Sequence, residues 1–135
     1  MTSIQSREVT VSASAEVLKA HLTDLRNLEP LLPADKVKGF AGSADEVAFK
    51  VQGALEIRLT RTADAFNGDV LRLTGGGAPF AFHLDMTVIA VGEHARASVH
   101  CEADLNPFMK MMAQKPLEAL FQHIAGALEQ HFGPA

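Results

Sequence analysis

Apolar residues recur along this chain with two different periods, and the changes of period divide it into three parts. Residues 3 to 11, "SIQSREVTV", alternate like a β-strand. Ser12 and Ser14 are candidate N-caps for the next segment, "AEVLKAHL", in which Val17, Leu18, His21 and Leu22 share one helical face. Asp24 can cap a second short helix with Leu25, Leu28, Leu31 and Leu32 as its apolar stripe, brought to an end by Pro30 and Pro33. Joined at Thr23 and Asp24, the two short helices form a V. From about residue 35 to residue 105 the period is two, and the last segment returns to a helical period.

The middle segment supplies five inward sets: Val47, Phe49 and Val51; Leu55, Ile57 and Leu59; Leu71 and Leu73; Phe80, Phe82, Leu84, Met86 and Val88; Val99, Cys101, Ala103 and Leu105. Folding the chain about Gly92-Glu93 sets Met86 opposite Val99, Leu84 opposite Cys101 and Phe82 opposite Ala103. A turn at Gln52-Gly53-Ala54 sets Val51 opposite Leu55 and Phe49 opposite Ile57. A turn between Gly76 and Pro79 sets Leu73 opposite Phe82 and Leu71 opposite Leu84. Every pairing keeps apolar residues on one face, and a slip of one residue would destroy the agreement. The expectation is a long antiparallel meander.

Asn106 is the expected N-cap of the final helix and Pro107 its first residue. Leu117, Leu120, Phe121, Ile124 and Leu128 form its apolar stripe, and Gly133-Pro134 closes it. The order is one strand, two short helices, six strands and one long helix. That is an α+β domain spanning residues 1–135, with a curved seven-stranded antiparallel sheet and a C-terminal helix lying across its concave face.

Composition narrows the function classes. The 135 residues are 47% hydrophobic and 21% charged, as expected of one globular domain. Net charge is −4, and the 12 Lys and Arg are scattered, which argues against nucleic acid or an anionic membrane as partner. No apolar run approaches the ~20 residues needed to span a bilayer, so no stable membrane insertion is expected. A single cysteine, Cys101, excludes an internal disulfide, and the N-terminus carries no secretory pattern. Both fit a cytoplasmic protein.

Candidate chemistry is sparse. Strand parity gives the inward face Phe, Leu, Val, Ile, Met, Ala and Cys, and sends Glu56, Arg58, Arg72, His83, Asp85, His100 and Glu102 to the outer face. His83 and Asp85, two apart, have the look of an acid–base pair, and with His100 and Glu102 that of a metal site. Their parity and the lack of any specific spacing favour a solvated charge ladder on the convex side. "TGGGAP" at 74 to 79 lacks the Lys-Ser/Thr of a phosphate loop and reads as a hairpin turn. Cys101 points among aliphatics, where a thiol is inert. No catalytic residue, metal ligand or cofactor motif emerges. His21, on the apolar edge of the first helix, is the one polar candidate for a cavity rim.

The final helix poses its own question. Phe108, Met109, Met111 and Met112 crowd its first turns, and Pro116 falls where a helix interior is expected. Thioethers commonly fill irregular core gaps. Pro116, however, cannot donate to the carbonyl of Met112, so a break there would let the first segment lean from the sheet, with Pro116 as hinge and the methionines as lid. Gly126 gives up about 1 kcal/mol of helix propensity against Ala, which points to close approach or needed room.

With this element order, "LTDLRNLEPLLP" at 22 to 33 and "DLNPFMKMMAQKPL" at 104 to 117 resemble short bacterial members of the START-like (SRPBCC) superfamily. That group includes the birch-pollen-allergen fold, polyketide cyclases/dehydrases and lipid-transfer domains. The resemblance covers essentially the whole chain and implies a helix-grip fold, with an apolar cavity between sheet and long helix. It also implies binding of lipids, isoprenoids or polyketides, with catalysis in some branches. The chain departs from the pollen-allergen pattern in lacking a glycine-rich loop at 39 to 46, "GFAGSADE", and it is shorter than typical members.

The expected ligand-binding wall is therefore Phe49, Ile57, Leu59, Leu73, Phe80, Phe82, Leu84, Val99 and Cys101 from the strands. From the helix it is Phe108, Met109, Met112, Leu117, Leu120, Phe121 and Ile124. An empty void of ~200 Å3 at ~24 cal/mol per Å3 would cost about 5 kcal/mol, a large part of a total stability of ~5–15 kcal/mol. Either phenylalanines and methionines fill the space or a ligand does. The reading is a non-catalytic binder of a small hydrophobic or amphipathic ligand. A cyclase or dehydratase using His21 and a protein-interaction module are the alternatives, and oligomeric state is left open.

Overall fold

The computed structural model describes residues 1–51 and 55–134. In chain order the elements are β1 (Thr2–Gln5), β2 (Val9–Val11), α1 (Ala15–Thr23), a 3-10 helix (Leu25–Leu31), β3 (Val37–Gly42), β4 (Glu46–Val51), β5 (Leu55–Arg61), β6 (Val70–Gly76), β7 (Phe82–Val91), β8 (His94–Ala103) and α2 (Pro107–Phe132). The strands make one antiparallel sheet in the order β1-β8-β7-β6-β5-β4-β3, with β2 also on β8.

The single N-terminal strand expected from alternation is two strands. Ile4 sits at an even position and Val9 and Val11 at odd ones, yet all three are buried. An extra residue between them resolves the parity, because Gln5 faces His100 while Val9 faces Ala97. Ser6 bridges the irregularity, its N–H donating to Val99 O at 2.8 Å and its Oγ accepting from Val99 N at 2.9 Å. The sheet thus has eight strands.

Ser14 caps α1, its Oγ accepting from Val17 N at 3.2 Å. Leu18 and Leu22 are buried, but Val17 is 55% exposed and not part of the packed face. A nine-residue helix buries one narrow stripe, and Val17 is turned off it by about 100° from Leu18. The second short helix is 3-10 rather than α. Leu25, Leu28 and Leu31 recur every three residues, the 3-10 period, and all are buried. Asp24 Oδ1 accepts from Arg26 N at 3.0 Å as cap. Pro30 lies inside the helix instead of ending it.

The meander follows the expected parity. Met86–Val99, Leu84–Cys101 and Phe82–Ala103 face each other across β7 and β8, as do Val51–Leu55 and Phe49–Ile57 across β4 and β5. Gly92, at φ 62°, makes the tight turn of the first hairpin. The second turn, Gln52-Gly53-Ala54, lies outside the described residues. One register is corrected: Leu73 faces Leu84 and Leu71 faces Met86, a slip of two from expectation. Two residues leave every side chain on its own face, so the core composition survives.

Asn106 caps α2, its Oδ1 accepting from Met109 N at 2.8 Å. The helix runs from Pro107 to Phe132 without interruption at Pro116, where a break was expected. Ala113, Leu117, Leu120, Phe121, Ile124, Ala125 and Leu128 are its buried stripe. Its C-cap, Gly133, is fastened to the residue after β2, Ser12, whose N–H donates to Gly133 O at 2.8 Å.

Candidate functional site: an apolar pocket and its mouth

Where the sheet faces α2, the inward residues meet. Phe49, Ile57, Leu59, Phe82, Leu84, Val99 and Cys101 come from the strands, and Leu117, Leu120, Phe121 and Ile124 from the helix. Together with Met86, Leu28 and Leu32 they surround an interior pocket whose wall, among the described residues, carries no charged side chain. Leu28, from the 3-10 helix, and Leu32, its C-cap, are absent from the expected wall. Their place in the stripe of the V was visible in sequence, but not that the V closes the pocket.

The pocket is nearly filled. Its free volume is about 20 Å3, room for about one water molecule. Of the two outcomes open to so small a domain, side-chain filling is the one realised. Phe82 contributes directly, since its ring covers Gly75, where a Cβ would fall 2.4 Å from ring atoms. Cys101 is buried, and burial first, then Glu102 and Asp85, push its thiol up to about 12. It is a protonated, apolar wall group at neutral pH.

Other expected wall residues lie elsewhere. Leu73 is fully buried in the core without lining the pocket. Phe80, Met109 and Met112 line a separate open groove of about 190 Å3, with Val51, Leu55, Pro79, Ala113 and Pro116. All of these side chains are apolar. The groove lies between the sheet and the first turns of α2, one helical turn from the interior pocket, with Ala113 in one and Leu117 in the other. Phe108 is 61% exposed and lines neither space. Met112 is 57% exposed, so it edges the groove rather than roofing a cavity.

His21 does not stand at the pocket rim. Its ring lies 5.3 Å from that of His131 and 5.1 Å from that of Phe132, at the C-terminal end of α2. Burial and, next, the nearby His131 lower its pKa, with Asp24 opposing. Ile124, the last pocket residue on α2, is seven residues, about 10 Å, before His131.

On the opposite face of the sheet, Arg72 donates to both carboxylate oxygens of Asp85, at 2.8 and 2.9 Å. Asp85 is 8% exposed, so this is not the fully solvated ladder that parity suggested. The Arg72 hydrogen bonds hold its pKa below the usual carboxylate value against the opposing effect of burial. His83 faces Thr74 and Glu102 rather than Arg72, and His100 Nε2 lies 2.6 Å from Ser3 Oγ. With both Asp85 oxygens engaged by Arg72, His83 and Asp85 do not make a free acid–base pair. Among the described residues no three His, Cys, Asp or Glu side chains gather to hold a metal.

No family model matches the sequence. No curated protein sequence matches it either. Solved structures do. A START superfamily protein from Mycobacterium smegmatis is 18% identical, with 96% of each chain covered and a TM-score of 0.71. The chain has a START-like helix-grip fold. The same START-like fold is found in a norcoclaurine synthase point mutant from Thalictrum flavum, solved with a transition-state analogue. There the identity is 15%, the coverage 96% of this chain and 95% of that one, and the TM-score 0.67. The di-domain aromatase/cyclase BexL is 10% identical with a TM-score of 0.71, and the match covers 46% of its longer chain. At these identities the likeness is one of fold. Among the described residues no helix is long and apolar enough to cross a membrane.

Proposed function

We propose that this protein binds, without transforming it, a small hydrophobic or amphipathic molecule between its sheet and α2. The observation that carries this reading is the open groove of about 190 Å3 whose lining among the described residues is apolar, one helical turn from an apolar interior. The ligand's apolar body lies against Phe80, Met109 and Met112. It reaches the interior only by displacing side chains, because the pocket is closed to about 20 Å3. Pro116, at the groove's edge, is the hinge of that opening in this account, since the carbonyl of Met112 has no N–H of residue 116 to hold it. The binding reading is preferred to catalysis because the interior wall's one titratable group is a thiol pushed up to about 12.

Native mass spectrometry of the purified protein, with extraction of bound material, tests the reading. A thermal-shift series with alcohols of eight to fourteen carbons is the complement. At 100 times Kd a ligand adds about 2.7 kcal/mol, a rise of roughly 8 °C in Tm for a domain of this size. A chain that carries no adduct and responds to no member of the series is not a binder of this kind.

A further inference from the structure

Val51 and Pro116 line not only the apolar groove but also a neighbouring cleft of about 220 Å3. This cleft has a different chemistry. Its wall includes Asp35, Lys36 and His123 along with Leu120, and Leu120 also lines the interior pocket. Among the described residues none of these three polar side chains is engaged in an ion pair of the molecule. Among the described residues an apolar groove thus adjoins, across two shared residues, a polar cleft with two nitrogen donors and one carboxylate.

We infer that the cleft of Lys36 and His123 holds the head of the ligand, and that the head is a singly charged anion, a carboxylate. The inference rests on the apolar groove being the ligand's site. The Lys36 ammonium offers three donors and the His123 ring at least one, enough for each oxygen of a carboxylate to find a partner. Asp35 sets the charge limit. Its carboxylate offsets Lys36, so a second negative charge on the head, as in a phosphate monoester, meets repulsion that a carboxylate does not. The net charge of −4 works in the same direction, since the protein as a whole repels anions and Lys36 provides the local attraction. The ligand so described is an amphipathic acid, its carbon chain beside Met109 and Met112 and its carboxylate on the far side of Val51 and Pro116.

The test compares dodecanoic acid, 1-dodecanol and dodecyl phosphate by titration calorimetry on the full chain and on Lys36→Gln and Asp35→Asn. Both substituted positions are exposed, so the fold tolerates the changes, and Tm in the absence of ligand checks it. The expected result is dodecanoate bound about fivefold more tightly than the alcohol, the size of one well-placed exposed charge pair. Lys36→Gln removes that advantage and leaves the alcohol unchanged. Asp35→Asn tightens both anions, dodecyl phosphate more. If acid and alcohol bind equally, or the preference survives Lys36→Gln, the head-group assignment is wrong while the groove reading stands. If none of the three binds, both fall together.

Discussion

The ring of Phe82 covers the backbone of Gly75, so closely that a side chain at Gly75 has no room to exist without moving it. The contact fits the observed register of β6 on β7, in which Leu73 faces Leu84 rather than Phe82. The bare backbone of Gly75 receives the aromatic ring, which then fills the apolar pocket between sheet and α2. Gly75→Ala is expected to lower stability by roughly 1–3 kcal/mol through overpacking. Phe82→Ala, at a half-buried position, is expected to cost about 2 kcal/mol and to enlarge the pocket. Urea denaturation gives both values. 1-Dodecanol should raise the Tm of Phe82→Ala more than that of the wild type.

Asp85 makes a second prediction. Its nearly buried carboxylate depends on Arg72, whose own side chain is half-exposed, so Arg72→Ala should cost about 1–2 kcal/mol by stranding the charge. The folded pKa of Asp85 is lowered, so its contribution is fully present above the unfolded value of about 3.9 and is lost as pH falls through the lower folded value. Denaturation at pH 7, 4 and 3 should show wild-type stability falling more steeply in acid than that of Asp85→Asn.

His21 works in the same direction at a higher pH. Its folded pKa lies below the ordinary histidine value near 6.5, first through burial and then through His131. The unfolded chain therefore takes up a proton before the folded one, and stability declines as pH drops below about 6.5. Replacing His21 with Gln should flatten this decline between pH 7 and 5. The variant should leave 1-dodecanol affinity unchanged, because the ring is not part of the pocket or groove.

Gly126 admits a stabilising change. It lies in the interior of α2, and a Cβ there would meet only the Arg7 Nη2 atom at 3.6 Å, an ordinary contact. Gly126→Ala should add about 1 kcal/mol, measured as a shift of the urea midpoint. The absence of a side chain is not needed for packing at this position.

Much of the fold was legible because parity is a strong constraint. Leu84 with Cys101, and Phe49 with Ile57, sit on one face in any register that buries them. The second short helix was visible too, in the spacing of Leu25, Leu28 and Leu31. What escaped has local physical causes. Ile4 and Val9 carry the signature of an inserted residue, hidden by polar Ser6, Arg7 and Glu8. The register at Leu73 goes with Gly75 lying under the ring of Phe82 on the neighbouring strand, a pairing that no one-strand pattern contains. The site was legible in composition but not in extent. Phe108 has the right chemistry and lies exposed outside both spaces, and Met112 only edges the groove, while Lys36 and His123 stand far apart in sequence and meet only in the cleft.

Five methionines provide built-in probes of the central claim. Met109 and Met112 line the groove, Met86 lines the interior pocket, and Met1 and Met111 lie exposed outside both. With the methionine methyl groups labelled with carbon-13, titration with 1-dodecanol should move the signals of Met109 and Met112, and that of Met86 as the chain enters the interior. Those of Met1 and Met111 should stay in place. Equal movement of all five, or of none, would contradict a ligand site between sheet and helix.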